Sequence, residues 1–290
     1  VILSYLKKEG FVIPDRVVDT EHETIPGGYV MDSEKNIFNY VSCFDVASLY
    51  PHLMMQFNIS PETKLFRIRL EDMERMLEKK MQPFTTDFTV TIKDVYGSTK
   101  SLSANLLMSK MKENKWCYAA NGTVFEDKEK KLGIIPRILK DLFNKRKEFK
   151  AALKEAKEKD DKNAAARYDA SQYCVKIIMN SIYGYLDNPH CRFYDTDNAS
   201  AVTLSGQFFI KNAIKTCNEF FENSRELLNT KLNCNAKVGT MIKASDTDSV
   251  FVHVGRFVNM KLDKEMQKKV VDKMNELVKK TLQNANKDLS

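Results

Sequence analysis

Apolar positions recur along this chain with two different periods, and those periods predict a mixture of helices and short strands. Val1 to Glu9 reads as a helix, and residues 10–45 read as a loop-rich entry broken at Gly27-Gly28, with a strand from Tyr40 to Val46. Residues 66–82 are expected to be helical, while Phe88-Thr89-Val90-Thr91-Ile92 alternates as a strand does. Tyr118 to Phe125 has the form of a hairpin turning at Asn121-Gly122.

The longest periodic stretch follows. Pro136 sits where a first helical turn tolerates proline, and a helix rich in Lys, Glu, Ala and Leu is expected from there to Lys159. Asp160-Asp161 breaks it, a second helix runs from about Asn163 to Leu186, and Asp187-Asn188-Pro189 stops that one. Two long helices joined by a short polar turn form an antiparallel αα-hairpin. Each arm would be roughly 35 Å long at 1.5 Å per residue. Residues 196–228 read as another helix, Lys237 to Lys243 and Val250 to Val254 as strands flanking Ser245-Asp246-Thr247-Asp248-Ser249, and residues 263–286 as an amphipathic helix. Strands and helices mix without regular βαβ alternation, which predicts an α+β fold.

Composition narrows the class. A chain of 290 residues with 43% hydrophobic content is globular, with one large or two ordinary domains. Lys plus Arg is 46 against 39 Asp plus Glu, and the net charge of +7 admits a polyanionic partner without specifying one. The six cysteines form no C-x-x-C pair, so zinc and thioredoxin-like spacings are excluded and an intracellular, reducing setting is expected. No apolar run approaches the ~20 residues of a membrane span, so no membrane partner is expected. Val1 lies inside a predicted helix, which suggests that the natural chain starts elsewhere.

Three carboxylates draw attention. Asp45 ends an apolar strand, and Asp246 and Asp248 lie at a strand-to-strand turn about 200 residues later. If strand geometry persists through that turn, Asp246 and Asp248 point the same way. A carboxylate from another strand would then complete a cluster that Mg²⁺ neutralises. A D-x-D in a turn is ordinarily a solvated turn, and it also serves metal-dependent glycosyltransferases, so the tripeptide alone leaves its chemistry open.

The helical hairpin carries the complementary charge. Arg146 and Lys150 are i and i+4 on the first arm, as are Lys176 and Asn180 on the second, where Tyr183 and Gly184 continue the stripe. Most charges between Lys140 and Lys159 belong to a solvated face with i,i+4 pairs. Lys176 differs, because it lies among Val175, Ile177, Ile178 and Met179. Asn180, Ser181 and Gly184 all lower helix propensity in mid-helix, Gly by roughly 1 kcal/mol against Ala. Local rules broken together mark a functional stripe.

Together these segments resemble family B DNA polymerases. Asp45-Val46-Ala47-Ser48-Leu49-Tyr50-Pro51 is similar to that family's D-x-x-S-L-Y-P, the Lys176 to Gly184 segment to its K-x-x-x-N-S-x-Y-G, and Asp246-Thr247-Asp248-Ser249 to its D-T-D-S, in the family's order. Asn58-Ile59-Ser60-Pro61-Glu62-Thr63, Asn121-Gly122, Arg146 to Lys150 and Arg192-Phe193-Tyr194-Asp195 resemble the T-even-like bacteriophage group; residues 66–115 match less clearly. Two positions depart from the pattern, with Ala244-Ser245 where the family has Tyr-Gly and His52 where it often has Ser.

The resemblance implies a palm, an antiparallel sheet with packed helices, in residues 1–130 and 188–290, and a fingers hairpin in 131–187. It implies DNA synthesis from dNTPs on a primer–template by a two-metal mechanism with Mg²⁺, for which Mn²⁺ substitutes. Asp45, Asp248 and the Val46 carbonyl would hold metal, with Asp246 auxiliary. Ser48, Leu49 and Tyr50 would lie under the nucleotide, the Tyr50 ring acting as a steric gate against a 2′-hydroxyl. Arg146, Lys150, Lys176 and Asn180 would grip phosphates, and Tyr183 and Gly184 would border the nascent base pair. The family's exonuclease and thumb would lie outside this chain, in a longer protein or in separate chains. The alternative is a catalytically silent nucleic-acid-binding subunit or a fragment of a split polymerase.

Overall fold

A computed structural model of the chain describes residues 2–8, 10, 12, 24–79, 81–232, 234–236, 239–258 and 264–287. In chain order the elements are α1 (Ile2–Lys8), β1 (Val30–Met31), β2 (Val41–Asp45), α2 (Leu49–Gln56), β3 (Lys64–Ile68), α3 (Leu70–Glu78), β4 (Thr89–Asp94), β5 (Thr99–Ser103) and α4 (Ala104–Glu113). They continue with β6 (Cys117–Tyr118), β7 (Thr123–Phe125), α5 (Ile134–Glu158), α6 (Lys162–Asp187), α7 (Thr196–Asn223), α8 (Arg225–Leu232), β8 (Ile242–Asp246), β9 (Ser249–His253) and α9 (Lys264–Lys287). The fold is α+β. The chain divides into two compact units, one made of Val1–Pro26 and Tyr50–Ser205, the other of Gly27–Leu49 and Gly206–Ser290.

The first unit contains the helical hairpin. Lys159, Asp160 and Asp161 separate α5 from α6, and Asp160 makes the reversal with a φ of 52°. Asp161 then caps α6, its Oδ1 accepting from the Ala164 N–H at 2.9 Å. On α6 the apolar positions Val175, Met179, Ile182 and Leu186 recur at helical spacing and are buried with Ile135, Ile138 and Leu139 of α5. Glu155–Lys159 and Lys154–Glu158 are i,i+4 ion pairs on the solvated face.

A five-stranded antiparallel sheet in the order β5-β4-β3-β7-β6 builds the rest of this unit. Its second core gathers Ile68, Met73, Met76, Val90, Leu107 and Val124. Residues 66–82 are therefore not one helix. Phe66-Arg67-Ile68 pairs with both β4 and β7, and α3 begins at Leu70. A three-residue alternation inside a longer apolar stretch fits either period, and the two flanking strands decide it. The hairpin at Asn121-Gly122 forms as expected, with Gly122 at φ 88°. A Cβ there would lie 2.3 Å from the Ile68 carbonyl oxygen, so only glycine fits.

The second unit is a four-stranded antiparallel sheet in the order β1-β8-β9-β2. Ile242, Val250 and Val252 are buried, as are Met274 and Val278 of α9. Ser42 Oγ donates to Asn275 Oδ1 at 2.6 Å, and Tyr40 to Gln267, tying strand side to helix. The expected strand from Lys237 to Lys243 is displaced. Residues 239–241 precede β8, which runs on to Asp246; Lys237 and Val238 lie outside the described residues, as do Val1, Glu9 and residue 263. β9 ends at His253, and Val254–Phe257 form a 3₁₀ turn.

Candidate active site

The second unit aligns the carboxylates through sheet register. Asp45 of β2 lies directly opposite Ser249 of β9, and Ser249 lies opposite Asp246 of β8. Directly opposed residues of an antiparallel ladder share a face. Asp45, Ser249 and Asp246 thus form one row across three strands, on the sheet's exposed face, and both Asp side chains are exposed. Asp248 stands in the turn beside this row, half-buried. Its carbonyl accepts from the Val46 N–H at 2.8 Å, which extends the β2–β9 pairing by one step.

Strand geometry does not persist through the turn, so Asp246 and Asp248 do not share a strand face. The Asp248 N–H donates to the Asp246 carbonyl at 2.6 Å, and Thr247 between them has φ 50°. An i→i+2 bond around a positive-φ centre is the rarer, strained form of γ-turn, and a β-branched residue there is an outlier. Two groups hold it. The Thr247 N–H donates to the Tyr29 carbonyl at 2.9 Å, and the Thr247 hydroxyl donates to Asp246 Oδ1 at 3.0 Å.

All side-chain donors in the row and turn are oxygens, the donor type that Mg²⁺ prefers. Among the described residues no group of three or more His, Cys, Asp or Glu side chains is gathered to hold a metal. The backbone therefore brings Asp45, Asp246 and Asp248 to one end of the sheet without closing their side chains on a common point. Beyond them Ser48 turns the chain with φ 57°, and α2 opens with buried Leu49 and half-buried Tyr50. Ala244, at a departure from the family pattern, lies opposite Phe251 on the carboxylate face. Ser245 is buried, its hydroxyl lacking a partner.

The first unit presents the cations. Lys150, Lys176, Asn180 and Gly184 are exposed, and Arg146 is half-buried with its Nε donating to Gln172 Oε1 at 3.4 Å. Among the described residues no carboxylate pairs with Arg146, Lys150 or Lys176, whereas Lys154 and Lys159 at the far end of the same arm pair with Glu158 and Glu155. A Cβ at Gly184 would meet nothing within 4 Å, so packing inside the chain gives no reason for glycine there. Tyr50 and Tyr183 pack with ring centroids 4.9 Å apart and planes tilted by 56°. Burial first, then Asp187 and the Tyr50 ring, push the Tyr183 phenol well above its ordinary pKa, so it stays a neutral donor. His52, the other departure, meets the Phe143 ring edge-on at 5.2 Å.

A positioning device was not foreseen from sequence. The first N–H groups of α5 have no intrahelical acceptors, and a remote segment supplies them. Asn58 Oδ1 accepts from Gly133 N at 2.8 Å, Glu62 Oε1 from Ile134 N at 2.5 Å, and Ser60 Oγ from Ile135 N at 3.4 Å. The Asn58 amide also donates to the carbonyls of Glu126 and Lys131. This hub seats the helix that carries Arg146 and Lys150. In the sequence, Asn58 to Thr63 stood out only for its resemblance to the bacteriophage group. Asp195, in another segment noted for its resemblance, pairs with Lys64 at 2.5 Å, and Asp197 pairs with Arg67 at 2.6 Å.

Residues 1–288 match the family model described as DNA polymerase family B. The DNA-directed DNA polymerase of Enterobacteria phage T4 is 26% identical over 98% of this chain and 33% of its own length. That of Escherichia phage RB69 is 24% identical over 89% of this chain and 30% of its own. The DNA polymerase of Archaeoglobus fulgidus is 26% identical over 95% of this chain and 26% of its own. The chain thus spans a third or less of the length of these relatives. Among the described residues no helix is long and apolar enough to cross a membrane.

Proposed function

This chain belongs to DNA polymerase family B, and from that premise we propose that it carries the centre where a dNTP is joined to a primer 3′-hydroxyl on a DNA template. The observation that carries the proposal is the register row of Asp45, Ser249 and Asp246, with Asp248 tethered beside it through the Val46 N–H. Asp45, Asp248 and the Val46 carbonyl are the residues that would hold two Mg²⁺ ions, or Mn²⁺ in their place, with Asp246 as an auxiliary carboxylate. When bound, such ions activate the attacking hydroxyl and stabilise the leaving pyrophosphate.

The chain's own residues bind and orient. Arg146, Lys150 and Lys176 offset phosphate charge, and Asn180 adds amide donors. Phosphoryl transfer rests on positioning and electrostatics, so no protein nucleophile is required. Ser48 and Leu49 lie under the triphosphate, and Tyr50, braced on Tyr183, bars a 2′-hydroxyl. Gly184 leaves open space for the nascent base pair, which explains a glycine that internal packing does not. In this reading residues 1–130 and 188–290 are palm, and 131–187 are fingers. Exonuclease and thumb segments complete the protein, in keeping with the short span of the relatives that this chain covers.

Primer extension by the intact protein tests the reading. Asp248→Ala and Asp45→Ala should each abolish nucleotide addition while primer–template affinity stays within about threefold. Near-normal incorporation by Asp248→Ala would sink the proposal; retained primer–template affinity with no incorporation in the parent would favour a silent binding subunit.

A further inference from the structure

The strap from Gly27 to Met31 runs along the carboxylate turn and is fastened at several points. Gln207 Nε2 donates to the Gly27 carbonyl at 2.7 Å, and the Lys211 ammonium sits 4.9 Å from the centre of the Tyr29 ring. Val30 and Met31 pair with Asp246 and Ser245 of β8. Between these fastenings Gly28 meets Thr247. A Cβ on Gly28 would lie 2.6 Å from Thr247 Oγ1, 2.8 Å from Cγ2 and 3.0 Å from Cβ. Its φ lies outside the left-handed range, so the glycine serves closeness rather than an unusual backbone angle. Gly27, one residue earlier, has open space where its Cβ would be.

The atom in contact matters. Thr247 Oγ1 is the hydroxyl that donates to Asp246 Oδ1, and the Thr247 N–H is held by the next residue of the strap, Tyr29. Anything that displaces Oγ1 therefore moves the Asp246 carboxylate and loads a γ-turn that is already strained. We propose that Gly28 is a positioning residue. Its missing side chain lets the strap close on Thr247, and Thr247 then fixes the Asp246 carboxylate and the Asp248 turn relative to Asp45 for divalent-cation binding. The inference rests on the metal-holding role proposed above for these carboxylates.

Mn²⁺ titration of the intact protein, followed by electron paramagnetic resonance, tests it without relying on turnover. The relevant sites are those lost in Asp248→Ala. Gly28→Ala should weaken them about tenfold and raise the Mg²⁺ concentration for half-maximal primer extension by a similar factor. Gly27→Ala should change both by less than twofold. In a Thr247→Gly background, where the contacting atoms are gone and a positive φ is easily adopted, adding Gly28→Ala should change Mn²⁺ affinity by less than twofold. Should Gly28→Ala alone fail to fold, recovery of folding in the double variant supports the same contact, and an unfolded double variant overturns it. Unchanged Mn²⁺ affinity in Gly28→Ala, or an equal loss in both backgrounds, also overturns the proposal. If Asp248→Ala removes no Mn²⁺ site, it is the metal-holding role of the carboxylates that fails.

Discussion

Asn58 offers the sharpest test of how the cationic helix is seated. Its side chain is fully buried and makes three hydrogen bonds, to Gly133 N, Glu126 O and Lys131 O, at 2.8 to 2.9 Å. Its backbone has φ 56°, which asparagine tolerates better than alanine. Replacement by alanine removes about 1 kcal/mol net per hydrogen bond, roughly 3 kcal/mol in all. The left-handed backbone adds about 1 kcal/mol more. Asn58→Gly loses the same bonds and escapes the backbone cost, so it should be milder by about 1 kcal/mol. Trp116 is the only tryptophan and packs edge-on against Phe66 in the same unit, so its fluorescence reports that unit's unfolding in urea. With a slope of about 2 kcal/mol/M, the midpoint should fall by roughly 2 M for Asn58→Ala and by about 1.5 M for Asn58→Gly. A shift below about 0.5 M for Asn58→Ala would refute the hub.

Gly122→Ala should cost about 3 kcal/mol or more in the same assay, since it combines a φ of 88° with contact on the Ile68 carbonyl; a loss under about 1 kcal/mol would show that the turn relaxes. Tyr50→Ala should admit ribonucleotides, measured as the ratio of dNTP to NTP incorporation efficiency, and an unchanged ratio would refute the gate. His253 has a depressed pKa, first from burial and then from the Arg256 and Lys243 cations, and its Nδ1 is buried without a partner. The unfolded state therefore binds a proton before the folded state does. Stability should fall as pH drops below the ordinary histidine range, and melting curves of His253→Gln should lack that part of the slope between about pH 7.5 and 5.5.

The long hairpin was readable from sequence almost to the residue. Its apolar stripe repeats over many turns, and Asp160-Asp161 and Asp187-Asn188-Pro189 are strong stops, so α5 and α6 end where the pattern says. Short elements behaved differently. Phe66-Arg67-Ile68 became strand because β4 and β7 flank it, and β5 and α4 had no distinct signature of their own. Asp45, Asp246 and Asp248 stood out in the sequence as residue types, but their alignment depends on a register set by pairing across some 200 residues. The turn itself defied the strand assumption, because a positive φ at threonine is imposed by neighbours rather than preferred locally. Gly27-Gly28 read as a simple break, whereas the contact of Gly28 with Thr247 exists only once the strap lies on β8.

The sheet that aligns the carboxylates has a consequence for biogenesis. β2 pairs with β9, whose partner residues leave the ribosome about 200 residues later. At roughly 5–20 residues per second, that is a wait on the order of 10–40 s with β2 exposing unsatisfied edges. The interval between the two strands contains most of the first unit, which can fold meanwhile. Slow-codon stretches or chaperone binding before β8 and β9 emerge would thus act on the second unit alone, making this sheet the point at which a nascent chain is most exposed to misassembly.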